Sequence, residues 1–258
     1  MLRHGLLLWL LALSGCSNFA GPHHPYAPLL DRGGQVDVAA GVGLVHSAGV
    51  TFTGRAAVAP VDSFVITAAA HLDPIDLGDG TRQYAGELGL GAFVMGDDAL
   101  RAELLAGVGG GYAYGRWNGE DGDEGLEGPY ARPFLQGTLA GRWGVVTWGG
   151  GLRLGVTVAD LTVTPIDPGS DLATPGLGAQ VSLDPFTTVR LDFGALHVDL
   201  TGGGAVAFGE RTVGQMGNVH IALTVGARFS AWGEAPSDQS ATTRQQASRR
   251  RPTSDFTM

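Results

Sequence analysis

The sequence has few of the residues that several protein classes depend on. Cys16 is its one cysteine among 258 residues, so no intramolecular disulfide can form. Lysine is absent, all 16 basic residues are arginine, and the net charge of −9 argues against nucleic acid as a partner. No apolar run after Cys16 approaches the roughly 20 residues that a transmembrane helix needs. Insertion of the rest of the chain into a membrane would therefore require a closed β-barrel.

The first residues carry the pattern of an export signal. Arg3 precedes the apolar run Leu6 to Leu13, which suits the core of a signal peptide but is too short to cross a bilayer. Leu13-Ser14-Gly15-Cys16 follows directly and resembles the lipobox of bacterial lipoproteins. The resemblance implies cleavage before Cys16 and attachment of a diacylglyceryl group and an N-acyl chain, such as palmitate, to that cysteine. A plain secretory signal with a chance cysteine is the alternative.

Alternation of apolar and polar residues with period two runs from Gln35 to about Ser230. In the first segment, for example, Val36 and Val38 share one face while Asp37 lies on the other. Ten such segments can be counted, most of them about ten residues long. An even strand number, with one apolar face and one small or polar face, is typical of outer-membrane barrels. We therefore predict an all-β, up-and-down antiparallel transmembrane β-barrel of about ten strands, with a soluble β-fold as the alternative.

Loop lengths favour the same topology. Longer connections are predicted over residues 73–81, 115–130, 160–183 and 209–218, and only the first connection on that side, around residues 46–49, is short. They alternate with tight turns near Val61-Asp62, Met95 to Ala99, Gly144 and Gly194-Ala195. Outer-membrane barrels have this asymmetry between a loop end and a periplasmic turn end. Both termini are accordingly expected at the periplasmic end.

The chain divides into four predicted parts. They are a lipoprotein signal peptide over 1–15, a lipidated N-terminal tether over 16–34, the β-barrel over 35–230 and a disordered C-terminal tail over 231–258. The tail is polar and has no apolar period. Ser17, rather than Asp, after the cysteine favours export to the outer membrane. The expected partners are outer-membrane lipids and the lipoprotein export and barrel assembly machinery.

Directing the polar face inward places many charged side chains in the lumen. A ten-strand barrel has a narrow interior, so opposite charges there are expected to pair and close much of it. The favoured interpretation is a polar plug that stabilises the wall, and a small conducting pore is the alternative. The predicted lumen charge network comprises Asp37, Arg55, Glu87, Arg142, Arg153, Arg190, Asp192, Asp199 and Arg228.

Patterns for catalysis or metal binding are weak. His197 and Asp199 share one face of a strand and superficially resemble the Asp and His residues of omptin-like outer-membrane proteases, which also have ten strands. They lie near the periplasmic start of their strand, the wrong end for a surface protease, so we predict no enzyme and a hydrogen-bonding role for His197. The acidic residues between Trp117 and Tyr130 lack the ordered spacing of a calcium loop, so no metal site is predicted.

Residues 26–36 (YAPLLDRGGQV), followed by Gly-rich alternating strands, resemble a group of bacterial outer-membrane β-barrel lipoproteins. The last strand, ending at Phe229, is similar to the aromatic-terminated signal recognised by the barrel assembly machinery. The resemblance implies a fold and a location rather than an activity. We therefore expect a lipid-anchored outer-membrane barrel with a structural or surface-interaction role. A narrow pore and an outer-membrane hydrolase are the alternatives.

Overall fold

A computed structural model describes residues 24–45, 49–75, 82–96, 100–119, 122–165, 176–209 and 218–231. Within these ranges the chain forms ten strands. They are β1 (Gln35–Val45), β2 (Gly49–Val58), β3 (Phe64–Ile75), β4 (Arg82–Met95), β5 (Leu100–Gly119), β6 (Gly122–Trp143), β7 (Val146–Pro165), β8 (Gly176–Phe193), β9 (Leu196–Gly209) and β10 (Asn218–Ser230). In the same ranges no helix has the length and apolar composition needed to cross a membrane.

Every strand pairs in antiparallel fashion with its neighbours along the chain, and the first pairs with the last. The closing register between β1 and β10 runs from Gln35 opposite Ser230 to Val45 opposite His220. The sheet is therefore a closed ten-strand barrel with up-and-down topology. This confirms the predicted fold class.

The two ends of the barrel differ in their connections. Strands are joined at the short-turn end by residues 59–63, 96–99, 144–145 and 194–195, of which 97–99 lie outside the described residues. At the other end, which we call the loop end, the connecting residues 46–48, 76–81, 120–121, 166–175 and 210–217 all lie outside the described residues. Gly144 and Gly194 begin the two tightest turns with φ of 61° and 75°, a conformation that glycine adopts without steric cost.

The prediction of a long loop over residues 115–130 was wrong, because β5 and β6 remain paired until Gly119 lies opposite Gly122. The loop predicted over 160–183 is shorter as well, since β7 extends to Pro165 and β8 begins at Gly176. Backbone hydrogen bonds hold these extensions together, and such bonds need no alternation of apolar residues.

The wall is consequently much taller on one side. Strands β5 to β8 have 18 to 22 residues, whereas β1 has 11 and β2 has 10. The rim at the loop end is therefore lowest beside the β1–β2 connection.

The two faces of the wall differ in polarity, in the sense opposite to that of a soluble barrel. Large apolar side chains such as Leu88 and Leu139 are 64% and 69% exposed on the outside, while Asp37 and Arg190 are fully buried inside. Outward aromatic residues gather near both ends, as in the girdles of membrane barrels. They include Trp143, Trp148, Phe193 and Phe229 towards the short-turn end, and Phe52, Tyr84, Tyr112 and Phe208 towards the loop end.

Candidate functional site

A segment that precedes the first strand occupies the lumen. We call residues 24–34 the strap, and its residues 24–30 are all buried. The Tyr26 hydroxyl donates to Oδ1 of Asp37 on β1 at 2.7 Å, and Nε2 of Gln136 on β6 donates to the Tyr26 carbonyl at 2.9 Å. Strands β1 and β6 lie on opposite sides of the ten-strand ring. The strap therefore passes between opposite walls.

The described part of the predicted tether is thus a filling for the barrel. Its apolar side chains explain this position, because Leu29 packs with Ala140 and Phe186, and Leu30 lies in a second buried cluster. Leu29 has a φ of 54°, which is uncommon for a residue with a side chain and turns the chain inside the lumen. Residues 16–23, with Cys16, lie outside the described residues.

Arg190 on β8 is the centre of the charge network. Its Nε and Nη2 atoms donate to the two carboxylate oxygens of Asp199 at 2.7 and 2.8 Å, a bidentate pair. Its Nη1 atom donates to Oδ2 of Asp37 at 3.2 Å and to the Pro28 carbonyl of the strap at 3.0 Å. One guanidinium therefore joins three elements: β9, β1 and the strap.

Further groups from the predicted network surround this centre. Arg55 lies 3.8 Å from Oδ2 of Asp199, bonds the Thr224 hydroxyl, and has its guanidinium carbon 4.8 Å from the centre of the Tyr26 ring. Nε of Arg228 lies 3.7 Å from Oδ2 of Asp37. These contacts tie β2 and β10 to the same two carboxylates.

Three separate ion pairs lie along other parts of the inner wall. Nη2 of Arg153 donates to Oε1 of Glu87 at 2.6 Å, and its guanidinium carbon lies 3.7 Å from the centre of the Phe134 ring. The two other pairs, whose residues the sequence reasoning missed, are Arg132 with Asp184, and Arg101 with Glu103 at 2.6 Å. These four residues lie on strands in which apolar and polar residues alternate irregularly. Each of them is nevertheless an even number of residues from other buried residues of its strand, which indicates the inner face.

Arg142 and Asp192 were predicted to lie in the lumen, but they lie at its mouth at the short-turn end. The Arg142 side chain is 46% exposed, 3.6 Å from Asp31 of the strap and 3.8 Å from Asp192. Arg228 also donates to Asp31, at 3.3 Å. Alternation along β6 correctly assigns Arg142 to the inner face. Arg142 is only one residue from the end of β6, however, so its side chain lies at the mouth. A cleft of about 220 Å³ opens among these side chains.

The histidines that the structure describes lie inside the barrel. The His24 ring of the strap lies 4.9 Å from that of His220 and 5.9 Å from that of His71, measured between centroids. Nε2 of His197 lies 3.6 Å from a carboxylate oxygen of both Asp37 and Asp199. Within the described ranges, no group of three or more His, Cys, Asp or Glu side chains is arranged to hold a metal ion.

The pair that resembles a protease site is enclosed. His197 and Asp199 are 1% and 2% exposed, and both contact the Arg190 network rather than the loop-end mouth. A peptide substrate has no access to side chains in this position. The arrangement suits a structural role, in which charged groups compensate one another where water is excluded.

Comparisons with known proteins bear on the fold. No family model and no curated protein matches the chain. It is similar in structure to the outer membrane protease OmpT from Escherichia coli, at 12% identity and a TM-score of 0.51, over 78% of this chain and 98% of that one. It also matches the N-terminal β-barrel domain of Pseudomonas aeruginosa OprF, at 10% identity and a TM-score of 0.35, over 77% and 100% of the two chains. The likeness to the protease shows the fold alone: this chain has an outer-membrane-type β-barrel.

Proposed function

We propose that the protein is a lipid-anchored outer-membrane barrel with a closed lumen and a structural or surface-interaction role. One observation carries the proposal: the strap and the Arg190 network occupy the interior together. Strap residues 24–30 are buried and contact opposite walls. Such a filling would block the path of solutes along the part of the lumen that the structure describes.

Membrane insertion is supported by the outer face. Its exposed side chains are large and apolar along every strand, and exposed apolar area on this scale marks a lipid or protein contact surface. The aromatic residues near both ends suit the two interfaces of a bilayer. The closed hydrogen-bonded ring also satisfies the backbone, as hydrocarbon requires.

Lipid attachment is supported by the sequence Leu13-Ser14-Gly15-Cys16 behind an apolar core. The lipid would be a diacylglyceryl group and an N-acyl chain on Cys16. The lipoprotein export machinery and the barrel assembly machinery would then both handle this chain, with outer-membrane lipids as its final surroundings.

Conductance in planar bilayers tests the closed lumen. We expect the wild-type protein to insert without steady conductance. A triple variant, Tyr26→Ala with Leu29→Ala and Leu30→Ala, removes apolar contacts of the strap and is expected to produce discrete channel openings. Val61→Ala, at a turn residue that is 60% exposed, is the matched control and should stay closed. Steady conductance by the wild-type protein would favour the narrow pore instead.

Membrane insertion and lipid attachment are tested separately with Cys16→Ser. We expect this variant to lose labelling by palmitate yet to remain in the outer-membrane fraction and to migrate faster on gels before boiling than after it. Palmitate labelling that persists would refute attachment at Cys16. A variant that is soluble and shows no heat-dependent migration would refute the membrane barrel.

A further inference from the structure

The strap has a direction, and its first described residue lies towards the loop end. His24 contacts His71 and His220, which lie in the halves of β3 and β10 nearest that end. A Cβ atom placed on Gly43, next to the loop end of β1, would lie 3.1 Å from the His24 ring. His24 is therefore close to the rim beside the β1–β2 connection.

The last residues of the strap lie at the opposite end. Leu30 packs with Ala59 and Val65, which flank the first short turn. The Gly33 amide donates to Oδ1 of Asp62 in that turn at 2.7 Å, and the Gly34 amide donates to the Ala59 carbonyl at 2.6 Å. From His24 to Gly34 the chain thus descends the lumen from the loop end to the short-turn end, and β1 then ascends in the wall.

A second passage of the chain through the same lumen has no room. Strap residues Ala27, Leu29 and Leu30 are 6%, 3% and 0% exposed. At the level of Pro28, the Arg190 guanidinium fills the space between the strap and two strands. Among the described residues the wall forms a closed ring, and β1 pairs with β10 along its full length.

We propose that the chain enters the barrel through its loop-end mouth, so that everything before His24 lies on the loop side of the membrane. This rests on the proposed membrane insertion and lipid attachment, and it deepens them by assigning the lipid of Cys16 to the leaflet on the side of the loops. That side is the cell surface when the short turns face the periplasm. The strap would then cross the membrane inside the barrel, opposite to the periplasmic N-terminus that the loop pattern predicts.

Chain length allows this route. Seven residues lie between Cys16 and His24, and the eight extended steps from one to the other reach roughly 27 Å. The rim beside His24 is the low side of the barrel, where β1 and β2 have 11 and 10 residues. The chain can pass over this rim and return to the apolar outer face, where acyl chains enter the bilayer.

Three epitope tags in separate proteins test the proposal in cells. One is inserted after Ala20, one after Gly169 in the connection 166–175, and one after Gln239. We expect antibody to reach the Ala20 and Gly169 tags in intact cells and the Gln239 tag only after permeabilisation. The test compares the Ala20 tag with the other two tags, so it does not depend on which end of the barrel faces the outside. In an inverted barrel the Gln239 tag would be accessible in intact cells, and the Ala20 and Gly169 tags would both be protected. An Ala20 tag that behaves like the Gln239 tag would overturn the proposal.

Failure of the proposed function gives a different result. A soluble protein with all three tags equally accessible would refute membrane insertion, and with it the assignment of Cys16 to one side. If the tagged proteins, which retain Cys16, take up no palmitate while the tag pattern is as expected, lipid attachment is refuted but the route of the chain through the barrel stands.

Crosslinking tests the direction of the strap in purified protein. In the Cys16→Ser background, His24→Cys with His71→Cys should be joined by a short dithiol reagent, and the linked tryptic peptides identified by mass spectrometry. His24→Cys with Val65→Cys is the matched control, because Val65 lies on the same face of β3 but near the short-turn end. Preferential linkage to residue 65 would reverse the strap and overturn the proposal.

Discussion

The buried centre of the charge network, around Arg190, and the exposed short-turn mouth of the lumen contain the same kinds of side chain in different surroundings. At the centre, Arg190 makes a bidentate pair with Asp199 and reaches Asp37, and all three are 2% exposed or less. At the mouth, Arg142 faces Asp31 and Asp192 at 3.6 and 3.8 Å with almost half of its side chain exposed. Both sets join strands to each other and to the strap.

The difference between these two sets is one of desolvation. Charges at the centre have lost water and depend on each other, so the removal of one leaves the others buried without compensation. Charges at the mouth keep water, which screens their attraction and replaces a lost partner. Similar ion pairs are therefore expected to contribute very differently to the stability of the barrel.

The largest expected effect is that of Arg190→Ala. It leaves the Asp37 and Asp199 carboxylates without their main partner in a buried site and should lower the free energy of unfolding by about 3–5 kcal/mol. The measurement is urea unfolding in detergent micelles. Arg190→Lys is the control, because it retains the charge but cannot make the bidentate pair, and it should lie between wild type and Arg190→Ala. A loss below about 1 kcal/mol would show that water reaches the centre.

The next effect concerns the strap. Leu30 is completely buried, so Leu30→Ala should lower the free energy of unfolding by about 2–5 kcal/mol if the strap folds as part of the barrel. The same urea titration measures it, with Val61→Ala as an exposed control of similar chemistry. A negligible effect of Leu30→Ala would mean that the barrel is stable without its strap. The difference between the Arg190 network and the mouth would then concern only the charged residues of the strands.

Sequence reasoning could predict the wall but not its filling. Alternation with period two shows which side chains share a face, and this was enough to place Arg190 and Asp199 together inside. It contains no information about height along the barrel, which is why Arg142 was assigned to the lumen although it lies at the mouth. Height depends on strand stagger and on the ends of strands; the predicted turn at Gly144 marks the end of β6 beside Arg142, but stagger leaves no local pattern in the sequence.

The strap escaped prediction for a different reason. Residues 24–34 contain prolines and glycines without a period, a composition that suits a tether equally well. Their partners are remote in the chain, since Gln136 bonds Tyr26 across 110 residues and Arg190 bonds Pro28 across 162. Contacts of this kind arise only once the barrel has closed around the segment.

The smallest expected effect is that of Arg142→Ala at the mouth. Its two ion pairs are long and its side chain is half in water, so screening limits the loss of unfolding free energy to about 0–1 kcal/mol. The residual effect should disappear as salt is raised to 1 M, where the screening length falls to about 3 Å. Urea titrations at low and high salt measure this, and Arg190→Ala in the same series should keep most of its effect because its site is closed to ions. A cost for Arg142→Ala near that of Arg190→Ala, or one that salt does not change, would mean that the mouth closes in solution and that burial does not separate the two sets.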